Sequence, residues 1–181
     1  MINDFKTFDG VCSLFRSVNT LGNQNCIFVA FKNPNAHIGV DAAAIGAFGM
    51  AGMLVSTTAT GIADAITSDT INQLMGIKDY AAMIINVNEY GFGFIPLVDE
   101  KHSIVPKLDN CIPVMNNFVF VNKQYIESVS VKKLTIFNPR IKKIDIKIQG
   151  GIVFHLTANM QEKQIPYQKD AMNAFVSMYG K

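Results

Sequence analysis

Ile144-Asp145-Ile146-Lys147-Ile148 alternates apolar and polar residues without a break. A period of two puts the three isoleucines on one face of a β-strand and the charges on the other. Gly150-Gly151 then supplies a tight turn, and Ile152, Phe154 and Leu156 continue the inward face along a second strand. Upstream, Lys133-Leu134-Thr135-Ile136-Phe137 turns at Asn138-Pro139-Arg140 into the strand Ile141 to Ile148. Ile126 to Val131 and Asn117 to Val121 are further apolar runs. Ala82 to Val87 and Phe92 to Leu97 flank Asn88-Glu89-Tyr90-Gly91, a hairpin in which Gly91 is expected to take positive φ. Cys26 to Phe31 is a strand ended by the turn Lys32-Asn33-Pro34-Asn35. Downstream, Ala171, Met172, Phe175, Met178 and Tyr179 form one apolar stripe at helical spacing. The pattern predicts a mainly β fold of the α+β class: a small antiparallel curled sheet or barrel, one open end capped by a carboxy-terminal helix. At the amino terminus, Phe5, Phe8, Cys12 and Phe15 have helical spacing, but Gly10 among them leaves a strand from Val11 open.

The 181 residues suit a single domain. Apolar residues make up 49% and charged residues 17%, which excludes a disordered chain too polar to offset its ordering entropy. Ile outnumbers Leu 21 to 8, in keeping with strands. A net charge of +2 disfavours nucleic acid as a partner, because neutralising many phosphates needs a larger basic excess. Cys12, Cys26 and Cys111 are odd in number and widely spaced, so reduced thiols are expected rather than a disulfide framework or zinc ribbon. Met1 to Lys6 lacks the basic start and apolar run of a signal peptide, so a cytoplasmic protein is expected.

Residues 36–76 stand apart as an Ala/Gly-rich insertion within the domain. Ala42 to Ala63 carries no charge over 22 residues. Its length would span a bilayer, but only Ile45, Phe48, Leu54, Val55 and Ile62 strongly favour insertion, roughly −2 kcal/mol together, which the glycines and Ser-Thr-Thr-x-Thr run offset. Three readings remain: a helix packed on protein, a mobile insertion, or a membrane-contacting segment. As a helix, Ala43, Ala47 and Ala51 would form a small-residue row, with Gly46, Gly49 and Gly52 recurring every third residue, and a second backbone could approach closely. Self-association through this segment is the first expectation, with peripheral membrane contact as its variant.

The strand order, with Ile126-Glu127-Ser128-Val129-Ser130-Val131 leading into a Lys-rich meander, then Gly150-Gly151, then Ile165-Pro166-Tyr167-Gln168 and a helix bearing Phe175, resembles bacterial pleckstrin-homology-like domains. The resemblance covers about residues 80–181, with a first strand near 26–31. It implies a seven-stranded curled sheet, a carboxy-terminal helical cap and no catalytic residues. Eukaryotic members often bind phosphoinositides or peptides. The Ala/Gly insertion replaces the short first loop that carries the basic head-group site in lipid-binding members, so that ligand does not transfer.

No catalytic, metal or cofactor motif is found. His37, His102 and His155 lie in separate regions without a ligand at metal-binding spacing. Gly91-Phe92-Gly93 is a strand-flanking turn rather than a phosphate loop, and Asp99-Glu100 is expected in a solvated loop. One feature is charged: Lys132, Lys133, Arg140, Lys142, Lys143 and Lys147 fall within sixteen residues against one acid, Asp145. On a hairpin several of them should share the solvent face, a surface for phosphate groups, an acidic peptide or single-stranded nucleic acid. The plainer explanation is a Lys-guarded edge strand. The expected function is a non-catalytic binding or scaffolding module, self-associating or membrane-contacting through the insertion, with the basic hairpin as a secondary anionic contact. The alternatives are an enzyme or enzyme subunit whose site forms only in an assembly, or an anionic-ligand or nucleic-acid binder that uses the basic hairpin 132–147.

Overall fold

Ile144, Ile146 and Ile148 are at most 1% exposed. They lie on a strand of the computed structural model, which describes residues 4–32, 39–40, 55–56, 80–101, 107–135, 139–149 and 152–180. In chain order the strands are β1 (Cys26–Lys32), β2 (Gly39–Val40), β3 (Val55–Ser56), β4 (Tyr80–Val87), β5 (Gly91–Asp99), β6 (Cys111–Pro113), β7 (Val119–Asn122), β8 (Ile126–Lys133), β9 (Ile141–Ile148) and β10 (Ile152–Asn159). Among the described residues two α-helices, α1 (Phe8–Ser17) and α2 (Gln168–Tyr179), flank them. Among the described residues every strand pairing is antiparallel, and the sheet runs β3-β7-β5-β4-β1-β10-β9-β8, with β2 beside β10 and β6 beside β5. Without the short β2, β3 and β6, the other strands form an up-and-down meander whose first and last members, β1 and β10, are neighbours.

The path is open, yet it must curl. β7 and β8 lie at opposite ends of the meander but are joined by the single 3₁₀ turn Lys123–Tyr125. That connection spans at most about 14 Å, so the two ends approach each other. The concave side is filled from both halves of the path: Phe28, Met83, Phe94, Ile144, Ile146 and Phe154 belong to one buried cluster. Phe94 stacks on Phe154 with centroids 4.7 Å apart. Helix α2 closes the opening with Met172 and Phe175, both 0% exposed, and the Phe175 ring lies 4.6 Å from that of Phe28.

β1 and β10 pair only at Phe31–Thr157 and Lys32–Leu156, and then diverge. Gln168, at the first turn of α2 and 0% exposed, fills the split. Its Oε1 accepts the Val29 N–H at 2.8 Å, while its Nε2 donates to the carbonyls of Val29 and Asn159, each at 2.9 Å. A side-chain amide thus stands in for the missing rungs of the ladder, as buried backbone groups require.

A second core covers the convex side of β1, β4 and β5, where Ile27, Val29, Ile84, Ile95 and Leu97 meet Val11, Leu14 and Phe15 of α1. The amino-terminal segment is therefore a helix, not a strand. Thr7 caps it by accepting the Gly10 N–H at 3.1 Å. Its buried stripe is Val11, Leu14 and Phe15, whereas Phe8 is 53% exposed. Two covered faces explain why β4 is buried at every position.

The structure departs from the sequence pattern elsewhere. Val55–Ser56 pairs with Phe120–Val121 of β7, so one helix cannot run unbroken from Ala42 to Ala63. Ala43, Gly46, Ala47, Gly49, Ala51 and Gly52 lie outside the described residues. Gly91 does not adopt positive φ; a Cβ there would run into the Val121 carbonyl of the neighbouring strand. Asp99 is 4% exposed at the end of β5, not solvated, and its Oδ1 accepts the Lys101 N–H at 2.9 Å. Strand β8 runs on through Lys133, and the chain bends at Leu134.

Candidate functional site

Among the described residues no layer covers the convex face of β8, β9 and β10, unlike that of β4 and β5. Register places its side chains in rows across the three strands. Lys132 stands opposite Lys143 and then Thr157; Ser130 opposite Asp145 and then His155; Ser128 opposite Lys147 and then Val153. A bulge between Ile126 and Ser128 sets Glu127 apart from this pairing, and its carboxylate reaches the Lys147 ammonium at 2.8 Å. Asp145 Oδ1 lies 2.7 Å from His155 Nδ1, and its Oδ2 lies 3.3 Å from Lys143 Nζ.

The basic residues therefore do not all share the solvent face. Lys132, Lys143 and Lys147 do. Lys133 and Lys142 form the next cross-strand pair in phase with Val131–Ile144, both buried, so they lie on the concave side, past the end of the core. Lys142 is opposite Ala158, which is 0% exposed, and is itself half-buried. Arg140 is exposed at the turn, where its carbonyl accepts the Met160 N–H at 2.8 Å.

Two consecutive rungs of the hairpin thus pair lysine with lysine, Lys132–Lys143 and Lys133–Lys142. Like charges directly opposed in an antiparallel pair are each destabilising, by roughly 0.2–1 kcal/mol. Asp145 relieves Lys143, but Lys132, Lys133, Arg140 and Lys142 form no ion pair with a described residue. The hairpin end holds four cations that no carboxylate among the described residues compensates.

The Asp145–His155 pair has the look of a catalytic dyad, and strand order argues against that use. A nucleophile relay needs the imidazole between hydroxyl and carboxylate. Here Asp145 on the middle strand separates Ser130 on β8 from His155 on β10. Among the described residues no group of three or more His, Cys, Asp or Glu side chains is placed to hold a metal ion. Cys26 and Cys111 are buried and each is pushed up to about 11 by desolvation, which keeps them protonated and poorly nucleophilic at neutral pH.

A cleft of about 750 Å³ lies between the start of β1, the β4–β5 turn and the second half of α2. Sequence reasoning gave no hint of it, since it draws on residues more than 150 positions apart. Much of its polar wall is committed to the fold. Asn25 exchanges two hydrogen bonds with Gly22, and Asn88 donates to the Thr20 carbonyl while accepting from the N–H groups of Tyr90 and Gly91. Glu89 accepts the backbone N–H groups of Asn23 and Gln24, and these bonds, Asn23 foremost, hold its carboxyl below the usual range. These groups tie the loop before β1 to the β4–β5 turn.

No family model, curated protein or solved structure matches the chain. Among the described residues no helix is long and apolar enough to cross a membrane.

Proposed function

We propose that the chain is a non-catalytic binding module of pleckstrin-homology-like architecture that engages an anionic partner through the end of the β8–β9 hairpin. The architectural part is supported by the meander order, with first and last strands adjacent and a carboxy-terminal helix over the opening. The functional part rests on one observation: two successive Lys–Lys rungs at a hairpin end where Lys132, Lys133, Lys142 and Arg140 have no carboxylate partner among the described residues. A fold that tolerates this repulsion gains most when an anion arrives. The hairpin becomes the primary contact rather than a secondary one.

Position on the edge supports a second reading. β8 ends the sheet path, and edge lysines keep foreign strands from adding to it. Heparin, a soluble polyanion, separates the two. As a contact site, the hairpin gives salt-sensitive retention that Lys133→Glu/Lys142→Glu abolishes, while Lys101→Glu/Lys107→Glu, with the same change in net charge on the β5–β6 connection, has little effect. As an edge guard only, the two double variants elute alike.

A further inference from the structure

We infer that the cleft beside the second half of α2 is a binding site of its own, for a small apolar molecule that carries a carboxylate. It is separate from the hairpin contact: Lys123, which lines the cleft, precedes β8, and the Lys133–Lys142 rung lies at the far end of that eight-residue strand, roughly 25 Å away. A volume of about 750 Å³ falls within the range of small-molecule sites, about 300–1,000 Å³. Part of the lining is apolar: Cys26 and Val87 from the strand ends, and Ala174, Met178 and Tyr179 from α2. Met178 is 53% exposed there, apolar surface that a ligand would remove from water.

The polar part of the lining includes Asn25, Asn88, Glu89 and Lys123, and its hydrogen-bonding capacity is used unevenly. A side-chain amide has two N–H donors and two acceptor positions. Asn25 Oδ1 accepts from the Gly22 N–H and from Asn86 Nδ2, and Asn88 Oδ1 accepts from the N–H groups of Tyr90 and Gly91, so both oxygens are full. Each amide nitrogen donates once, to the Gly22 and Thr20 carbonyls, and keeps one N–H. Both oxygens of Glu89 are also engaged, by the Asn23 N–H at 2.7 Å and the Gln24 N–H at 3.4 Å, so its charge is met by the loop before β1. Lys123 differs. Its backbone N–H donates to the Tyr90 carbonyl at 2.8 Å, which roots it at the β4–β5 turn, but its ammonium forms no ion pair with a described residue. What this wall has left is N–H donors and one cation, beside an apolar surface. A carboxylate is anionic and acceptor-only, so it answers both, while the apolar body attached to it covers Met178. An ammonium ligand would bring donors to donors.

The test is titration calorimetry of the full chain with naphthoate and with naphthylmethylammonium, which has the same rings and the opposite charge. The expected result is one saturable site for naphthoate, with the ammonium weaker by about tenfold or more. Lys123→Gln should weaken naphthoate binding about tenfold, from loss of a charge-assisted hydrogen bond. Ala174→Trp should fill the cleft and weaken it by about tenfold or more. Both positions are exposed, so both variants should keep the wild-type unfolding midpoint, which is checked first. Lys133→Glu/Lys142→Glu should bind naphthoate as the wild type does, whatever its heparin retention. No naphthoate binding, equal or tighter binding of the ammonium, or wild-type affinity in Lys123→Gln overturns the cleft site and leaves the hairpin reading standing. Loss of naphthoate binding in the hairpin variant also overturns it, by moving the anion to the hairpin.

Discussion

Replacing Gln168 by leucine is the sharpest test of how the two halves of the sheet are joined. The side chain is 0% exposed and makes three hydrogen bonds, one accepted from the Val29 N–H and two donated to the Val29 and Asn159 carbonyls. Leucine has similar bulk and can satisfy none of them. Each buried backbone group left without a partner is destabilising by about 1–3 kcal/mol, so the three together, less the gain from burying a more apolar side chain, give a loss of about 3–5 kcal/mol. Set against a typical domain stability of about 5–15 kcal/mol, that is a large fraction of the total. Urea unfolding followed by circular dichroism should show the midpoint falling with an unchanged slope, and the thermal midpoint should drop by roughly 6–20 °C. Gln168→Glu sharpens the result. A protonated carboxyl still offers one donor and one acceptor; an ionised one confronts two carbonyl oxygens, so the pKa of the new carboxyl rises above about 4.3 in the folded state. The folded variant then binds more protons than the unfolded one, and its stability should decline as pH climbs from about 4 to that raised value, a slope the wild type lacks. A loss below about 1 kcal/mol in Gln168→Leu, or a pH-independent Gln168→Glu, would refute the bridging role.

Three further outcomes follow from the same structure. Lys142→Glu turns the repulsive Lys133–Lys142 rung into an attractive pair, so it should raise the urea midpoint by an amount corresponding to about 0.2–1 kcal/mol while weakening heparin retention; lower stability would show that the rung is not repulsive. Glu89 is held below the usual carboxylate range by the Asn23 and Gln24 backbone, so what it adds to the loop before β1 is present above the unfolded pKa and lost as pH falls through the lower folded one. Protection of the Asn23 and Gln24 amides against hydrogen exchange should fall over that acidic interval in the wild type and be low at all pH values in Glu89→Ala, which has no acceptor oxygen. Cys26 and Cys111, pushed up from 9.0 to about 11 by burial, should alkylate roughly a hundredfold more slowly at mildly alkaline pH than in urea; equal rates would mean that the cores around them are open.

How much of this was legible in the sequence depends on what set each feature. Period-two alternation identified β9 and β10 and their inward faces, because one side of those strands is solvated and the pattern survives. It could not identify the second core. With α1 packed on one side and α2 beneath the other, β4 and β5 are apolar on both faces, and Tyr80–Val87 reads as a featureless hydrophobic run. Helix α1 was ambiguous for a local reason: Gly10 sits in its first turn, where a Cβ would strike the Asp4 carbonyl, so the residue that argued against a helix is one its entry requires. Gln168 was visible only as part of a motif, since its role is to repair a divergence between β1 and β10 that is a property of the whole sheet. The basic ribbon was legible as composition, and some of its lysines do share the solvent face, but the sequence did not say which face one another. Spacing within one strand gives the parity of a lysine, but which lysines face each other depends on register, and register here put Lys133 and Lys142 on the side assigned to isoleucine and leucine.

That register also bears on where the proposed contact surface falls. A sheet covered on both sides, as β4 and β5 are, has no free face on which to meet a partner. Among the described residues, the face left open is where β8, β9 and β10 extend beyond α1, and the ionic pairs there link Asp145 with His155 and Lys143, and Glu127 with Lys147. Neutralised pairs of this kind make a soluble surface with little to offer an anion. The imbalance begins one rung further out, at Lys133–Lys142, where the strands have left the core and repulsion between them acts on a segment with few packing contacts to lose. A charge conflict placed at a hairpin end weakens the domain far less than the same conflict over the core would, and it leaves the cations free to turn toward a partner. Segregating folding stability to the interior rungs and unbalanced charge to the outermost ones lets one hairpin serve both.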